Sequence, residues 1–472
     1  VANNPQVSPS GDVPPFDPSK PHHAKPRLRE SVSGAPVGVQ TPNGNQTMLA
    51  LADQSQIADR QLVTSLLAQF FLPQMTGEHD VAAIAVRAAE VARRQGAPEQ
   101  AIPHVNESNA QLLIAQLDAA GLLYGPVFQE KLDEMRRAYD ASDVLPPGTT
   151  AAMADNLVVQ ELGEDATDAQ KAELGSTKLR EMMDKAITQT LEPVEDPSFD
   201  ELPKAVVAPA LDYWRAGINF AHVYGRMRVV DKPARVVVLG VNNFGFGTGV
   251  VGCDKAYETP LGRIERDAAF AGALEARLGE EATQRLYKDR YDHEREMSVE
   301  VQLPWIQHVF GDDTGACPPV FAALVHDPLR NGGHSYDGQG LGLDEFVEAL
   351  RGAIADADGR TLVVCSANFS HVGKSFGDQL PQQITDQEQL RPFLEQSGQA
   401  DRTLLGHVEA GKPDELINAL SWQQNSTRWR CVGPLVAAMR ATEPSACRVL
   451  NYTVTGDQQG MAIIGTASVV ME

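Results

Sequence analysis

Arg235-Val236-Val237-Val238-Leu239-Gly240-Val241-Asn242-Asn243-Phe244-Gly245 is the stretch that decides the class of fold. A short continuous run of β-branched and apolar residues reads as a strand buried on both faces. Gly240 and the Asn242-Asn243 pair then turn the chain. Working outward, Ala205-Val206-Val207-Ala208, Val320 to Val325 and Leu362-Val363-Val364-Cys365 have the same character. Helical spacing separates them, as in Asp267 to Leu278 and in the segment opened by Asp344, whose carboxylate is expected to cap the amides of Phe346, Val347 and Glu348. Two late runs, Arg448 to Val454 and Met461 to Ile464, should close the sheet. This alternation predicts an α/β fold, a mixed sheet with helices on both faces. Ligands of such sheets gather beyond the C-terminal ends of strands, and Pro209, Asn243 and Asn368 all fall just after predicted strands.

The chain has 472 residues, 42% hydrophobic and 22% charged, which suits two or three folded domains. A net charge of −23 repels a phosphate backbone, so nucleic acid is not an expected partner. Five scattered cysteines without a C-x-x-C pair fit a reducing compartment. No run of about 18 apolar residues occurs, and Val1 to Lys25 lacks the apolar centre of a signal peptide. The expectation is a cytoplasmic protein with no membrane partner and a disordered, solvated head over residues 1–25, including His22-His23.

Residues 26–143 read as a small, mainly helical, winged-helix-like domain. Leu62, Leu66, Leu67, Phe70 and Phe71 recur at helical spacing, as do Val81, Ile84, Ala85, Ala88 and Val91. Asn109 to Ala120 is a further helix ended by Gly121 to Pro126, and a short strand is expected only around Met48 to Leu51. Val144-Leu145-Pro146-Pro147-Gly148 reads as a hinge, followed by a link and helix to residue 199 and an α/β domain over 200–472.

Four segments of the α/β part carry a family resemblance: Pro209-Ala210-Leu211-Asp212-Tyr213, Leu239 to Gly245, Glu296-Met297-Ser298-Val299-Glu300-Val301-Gln302-Leu303-Pro304, and Ser366-Ala367-Asn368-Phe369-Ser370-His371-Val372-Gly373. With Tyr257-Glu258-Thr259-Pro260-Leu261-Gly262, read as a turn that fixes the following helix, they resemble the Memo family, called AmmeMemoRadiSam system protein B in prokaryotes. That family's fold is related to the class III extradiol dioxygenases. Residues 26–143, with Pro26-Arg27-Leu28-Arg29 and Leu117 to Leu123, resemble PqqD-like domains. This resemblance implies docking of a peptide or protein partner, with a helical stabilising appendage as the alternative.

Where the family usually carries histidines, this chain has Ala210, Asn243 and Met297, and the aspartate of S-x-D-x-S-H-x-G is Asn368. Asparagine and a lone thioether are poor sole anchors for a transition metal. The resemblance therefore implies a degenerate pocket lined by Ala210, Tyr213, Asn243, Glu296, Met297, Ser366, Asn368 and Ser370. No cofactor is expected, a divalent metal being the alternative. His293, one helical turn before Met297, either stands in for a lost ligand or lies at the surface while Met297 fills core. The leading reading is a binding or scaffolding component. The alternatives are a metal-independent or weakly metal-dependent hydrolase or oxidoreductase using His371 as acid or base with Glu300, Asp212 or Glu296, and a peptide-docking module in 26–143. The G-x-G-x-x-G run Gly247 to Gly252 neither follows its strand directly nor opens a helix, and reads as a flexible loop.

Overall fold

The computed structural model describes residues 15–41, 44–58, 60–243, 245–312, 315–380, 387–456 and 460–472. Phe244 and the head through residue 14 lie outside them. The chain divides into two compact units, one ending at Ala141 and one starting at Ser142.

The first unit opens with a three-stranded antiparallel sheet, β1 (Val32–Thr41), β2 (Gly44–Asp53) and β3 (Leu62–Thr64). Helices Val81–Arg94, Glu107–Ala119 and Pro126–Ala141 follow. The ten-residue β1–β2 hairpin replaces the single short strand expected, and Leu62 is in a strand, not a helix. The Gly- and Pro-containing sequence of β1 hides it, because only the second half of β2 alternates towards the core. The solvated-tail expectation fails over residues 15–25. Pro21–Ala24 form one helical turn, His23 is buried, and both histidines meet Asp118.

The second unit contains an eight-stranded mixed sheet. At its centre β5 (Ala205–Ala208), β11 (Thr361–Ser366), β6 (Arg235–Val241) and β10 (Val320–Val325) run parallel in that spatial order. The flanking strands are antiparallel: β7 (Val251–Gly252) on β10, β14 (Ile463–Met471) on β5, and β12 (His371–Val372) and β13 (Cys447–Gly456) on β14. The four central strands are buried almost throughout, which explains their unbroken apolar sequences. One core joins Val207, Val237, Leu239, Phe321, Ala323 and Val363 to helices Ala268–Tyr287, Leu343–Asp356 and Val432–Thr442. On the side of helix Tyr213–Tyr224, Trp305 is fully buried between Phe220, 5.5 Å away and near parallel, and Tyr224 at 5.8 Å.

The segment read as a hinge and link is built into this unit. β4 (Val144–Leu145) pairs with β8 (Ala256–Thr259), which forms a hairpin with β9 (Gly262–Ile264). The Thr259-Pro260-Leu261-Gly262 turn thus closes a hairpin instead of fixing a helix, with Gly262 at φ +115°. Helix Leu343–Asp356 starts two residues earlier than the cap reading requires; its N-cap is Gly342, and Asp344 pairs with Arg440 at 2.7 Å. No helix among the described residues is long and apolar enough to cross a membrane.

Candidate functional site

β5, β6 and β11 deliver three loops to the same end of the sheet, and the segment Glu296 to Gln302 packs against them. Gly240 makes this approach possible: a Cβ there would lie 2.5 Å from the Ser298 hydroxyl and 3.0 Å from Val299. The buried Ser298 hydroxyl accepts from the Val241 amide at 3.0 Å and meets the Val241 carbonyl at 3.2 Å. Gln302 ties the remaining segments. Its amide nitrogen donates to the Pro209 carbonyl and the Ser366 hydroxyl, each at 2.7 Å, while its oxygen accepts from Tyr224 at 2.9 Å.

Asn368 completes the frame as a peptide mimic. Its side-chain oxygen accepts from the Ala210 amide at 3.0 Å and its nitrogen donates to the Ala210 carbonyl at 2.8 Å. An aspartate could do only the first of these. Across the site, the Asn243 amide donates to Glu296 at 3.0 Å, and its side-chain nitrogen lies 3.2 Å from both carboxylate oxygens. Glu296 also accepts from the Ser298 amide at 2.9 Å. Burial raises the Glu296 pKa despite these donors, and the Arg430 charge lies close enough to interact with it.

His371 stands on β12 and shares with Glu296 the neighbouring charge of Arg430. Its Nδ1 faces the carbonyls of Phe369 at 2.8 Å and Arg428 at 3.2 Å, so Nδ1 carries the proton and Nε2 the lone pair. Burial, and then the charge of Arg430, depress its pKa to about 4. The expectation of an acid or base titrating near neutrality is thereby corrected, because desolvation of the cation outweighs the two carbonyls.

The other two catalytic candidates are helix caps. Asp212 accepts from the Arg215 amide at 3.0 Å and pairs with the Arg215 guanidinium at 2.6 Å. Glu300 clamps the start of helix Thr149–Leu162, accepting from the amides of Gly148, Thr149 and Thr150 at 3.0, 3.1 and 2.7 Å and from the Thr150 hydroxyl at 2.6 Å. A carboxylate at a helix start gains from both the unpaired amides and the helix dipole. Tyr213, Ser366 and Ser370 are buried and hydrogen-bonded: Tyr213 donates to the Val301 carbonyl, and Ser370 to Asp401.

His293 is neither a surface residue nor an available donor. It is buried, with Nδ1 3.0 Å from the Tyr257 hydroxyl and Nε2 3.1 Å from the Val251 carbonyl, and burial lowers its pKa to about 4. The helical turn expected between His293 and Met297 is broken, since a 3₁₀ turn ends at Glu294 and a separate helix begins at Met297. Met297 is half-buried, not core.

The donor set does not fit the iron, copper or zinc centre that the family resemblance implies. Ala210 has no donor, the Asn243 amide serves Glu296, and Met297 supplies a thioether.

Two buried carboxylates were not among the sequence candidates. Asp401 accepts from Ser370 Oγ at 2.7 Å, Trp429 Nε1 at 2.6 Å and Tyr452 at 2.6 Å, fixing the loop that carries His371. Its sequence signal was its place on the apolar stripe of Leu404, Leu405 and Val408. Asp292 accepts from the amides of Phe246 and Gly247 and from Asn242 Nδ2, and burial raises its pKa to about 6. These bonds anchor the glycine run read as a flexible loop. Gly249 meets residue 341 so closely that a Cβ would stand 2.3 Å from the Leu341 carbonyl. Cys431 is a buried thiol with its pKa pushed up by desolvation.

The Memo-like protein family model matches residues 173–470. A MEMO1 family protein of Methanopyrus kandleri is 28% identical over 302 residues, which cover 62% of this chain and 93% of the relative. One from Methanothermobacter thermautotrophicus is 26% identical over 269 residues, 56% of this chain and 83% of the relative. Another, from Pyrobaculum aerophilum, is 33% identical over 202 residues, covering 42% and 65%. The matched span contains the sheet and all four site segments, and on this evidence the chain belongs to the Memo family.

Proposed function

We propose that the second unit is a binding or scaffolding component whose family pocket is degenerate for metal. The observation that carries this reading is the setting of Asn243: at a position where the family usually has an imidazole, its side-chain nitrogen is committed to Glu296 and its oxygen, a poor sole anchor for a metal, faces the cationic Arg430 guanidinium at 3.5 Å. Ala210 offers only its backbone, and both of its backbone groups are taken by Asn368. Of the catalytic candidates, His371 is at neutral pH an uncharged imidazole of low basicity.

The test is metal analysis of the full-length chain carrying His22→Ala and His23→Ala, so that the histidine pair of the first unit contributes nothing. After incubation with zinc, iron or copper and exhaustive dialysis, the variant should retain well under one ion per chain. About one tightly held ion per chain would overturn the reading.

A further inference from the structure

We propose that His22, His23 and Asp118 in the first unit form a binding site for a borderline divalent transition-metal ion of the zinc and cobalt class. The inference concerns a different unit from the Memo site and stands independently of the function proposed above. Among the described residues, this is the group of three His, Cys, Asp or Glu side chains whose ligand atoms all lie within 4.8 Å of one another.

The geometry starts from sequence. Pro21 opens a single helical turn that places His22 and His23 side by side, their rings edge to face with centroids 4.8 Å apart. Asp118 lies near the end of helix Glu107–Ala119, next to the buried Leu117. A carboxylate so placed needs compensation. Its Oδ2 has His22 Nε2 at 3.2 Å and His23 Nε2 at 3.0 Å. Its Oδ1 is buried without a hydrogen-bond partner, in a residue only 7% exposed. Gly125 leaves room at the same place: a Cβ there would come within 3.0 Å of Asp118 Oδ1 and of His22 Cδ2.

Two imidazoles and one carboxylate are a donor set favoured by zinc and its neighbours, with a remaining position for water. Separations of 3.0–3.2 Å between donor atoms are near those of ligands that share a small cation at about 2.0–2.1 Å. In the metal-free state the Asp17 amide donates to His23 Nδ1 at 3.0 Å, so the His23 proton sits on Nε2 and points at Asp118. Loading the site requires that proton to leave Nε2. When Nδ1 takes it, the Asp17 amide must turn away. Ion binding is thereby coupled to the backbone at residue 17.

The experiment is titration of the full-length chain with cobalt(II) chloride, followed by visible absorption, with zinc(II) competition by calorimetry. Circular dichroism verifies folding of each variant. The wild type should take up one cobalt ion at this site with ligand-field bands, and zinc should displace it. His22→Ala, which leaves the buried His23–Asp118 contact in place, and Asp118→Asn should each weaken binding by about 100-fold or more, since even outer-sphere losses cost about 10–100-fold. Exchange of the Asp17 amide should accelerate on zinc addition. A folded wild type that takes up no cobalt overturns the proposal. So does uptake unchanged in both variants, which would place the ion elsewhere in the chain.

Discussion

Asn368→Asp supplies the aspartate of the family pattern and should weaken the protein, in a way that pH reverses. The substitution keeps the acceptor for the Ala210 amide but removes the 2.8 Å donor to the Ala210 carbonyl, leaving a carboxylate against a carbonyl at a residue 9% exposed. An unsatisfied buried acceptor costs about 1–3 kcal/mol, and the added negative charge puts the expected loss near the upper half of that range, about 2–3 kcal/mol at pH 7.5. Protonation restores an O–H donor. The introduced carboxyl therefore has a folded pKa above its unfolded value of about 3.9, by roughly one unit for each 1.4 kcal/mol. Its favourable contribution is complete below about pH 4 and is lost as pH rises through the raised folded pKa, near 5.5–6 for a 2–3 kcal/mol loss. All four tryptophans, Trp214, Trp305, Trp422 and Trp429, belong to the second unit, so their fluorescence in urea reports that unit alone. With a slope of about 3 kcal/mol/M, the midpoint should fall by about 0.7–1 M at pH 7.5, the gap to wild type narrowing towards pH 4.5. A variant as stable as wild type at pH 7.5, or a gap that ignores pH, would refute the reasoning.

Glu300→Gln removes the charge from the clamp at the start of helix Thr149–Leu162 and should cost about 1–2 kcal/mol, seen as faster amide exchange in residues 150–155 with the β-sheet amides little changed. His293 and His371, both depressed to about 4 from 6.5, stabilise the fold above pH 6.5 and lose that contribution as pH falls through 4, about 3 kcal/mol each. Asp292, raised to about 6, works in the opposite sense between about pH 4 and 6, so His293→Gln should flatten the acid side of a stability profile measured by urea midpoint, and a profile unchanged by that variant would count against the assignment. Asp401→Asn turns an amide N–H₂ towards donors from Trp429, Tyr452 or Ser370; near-ultraviolet circular dichroism should lose Trp429 intensity, and stability should drop by about 2–4 kcal/mol.

The central strands were legible because each is a short apolar run covered on both faces, a pattern that surface segments do not produce. Pro209, Asn243 and Asn368 follow such strands, and parallel strands deliver their C-terminal ends to one edge. The roles of individual carboxylates were not legible. Asp212 and Glu300 have the composition of catalytic acids, and only three-dimensional placement reveals that their oxygens cap helix starts. The β1–β2 hairpin escaped notice because half of its second strand is exposed and carries no alternation. The burial of His293 is hidden for a related reason: its two partners, Tyr257 and Val251, lie 36 and 42 residues away along the chain.

Gln302 is the common knot of the site loops. Its single carboxamide joins the Pro209 and Ser366 segments to helix Tyr213–Tyr224, yet it is wholly buried and presents nothing to an incoming molecule. Cohesion of the loops is therefore separated from whatever the side chains at 210 and 297 contribute. Those two positions can change chemistry without loosening the Gln302 bonds that hold the loops together.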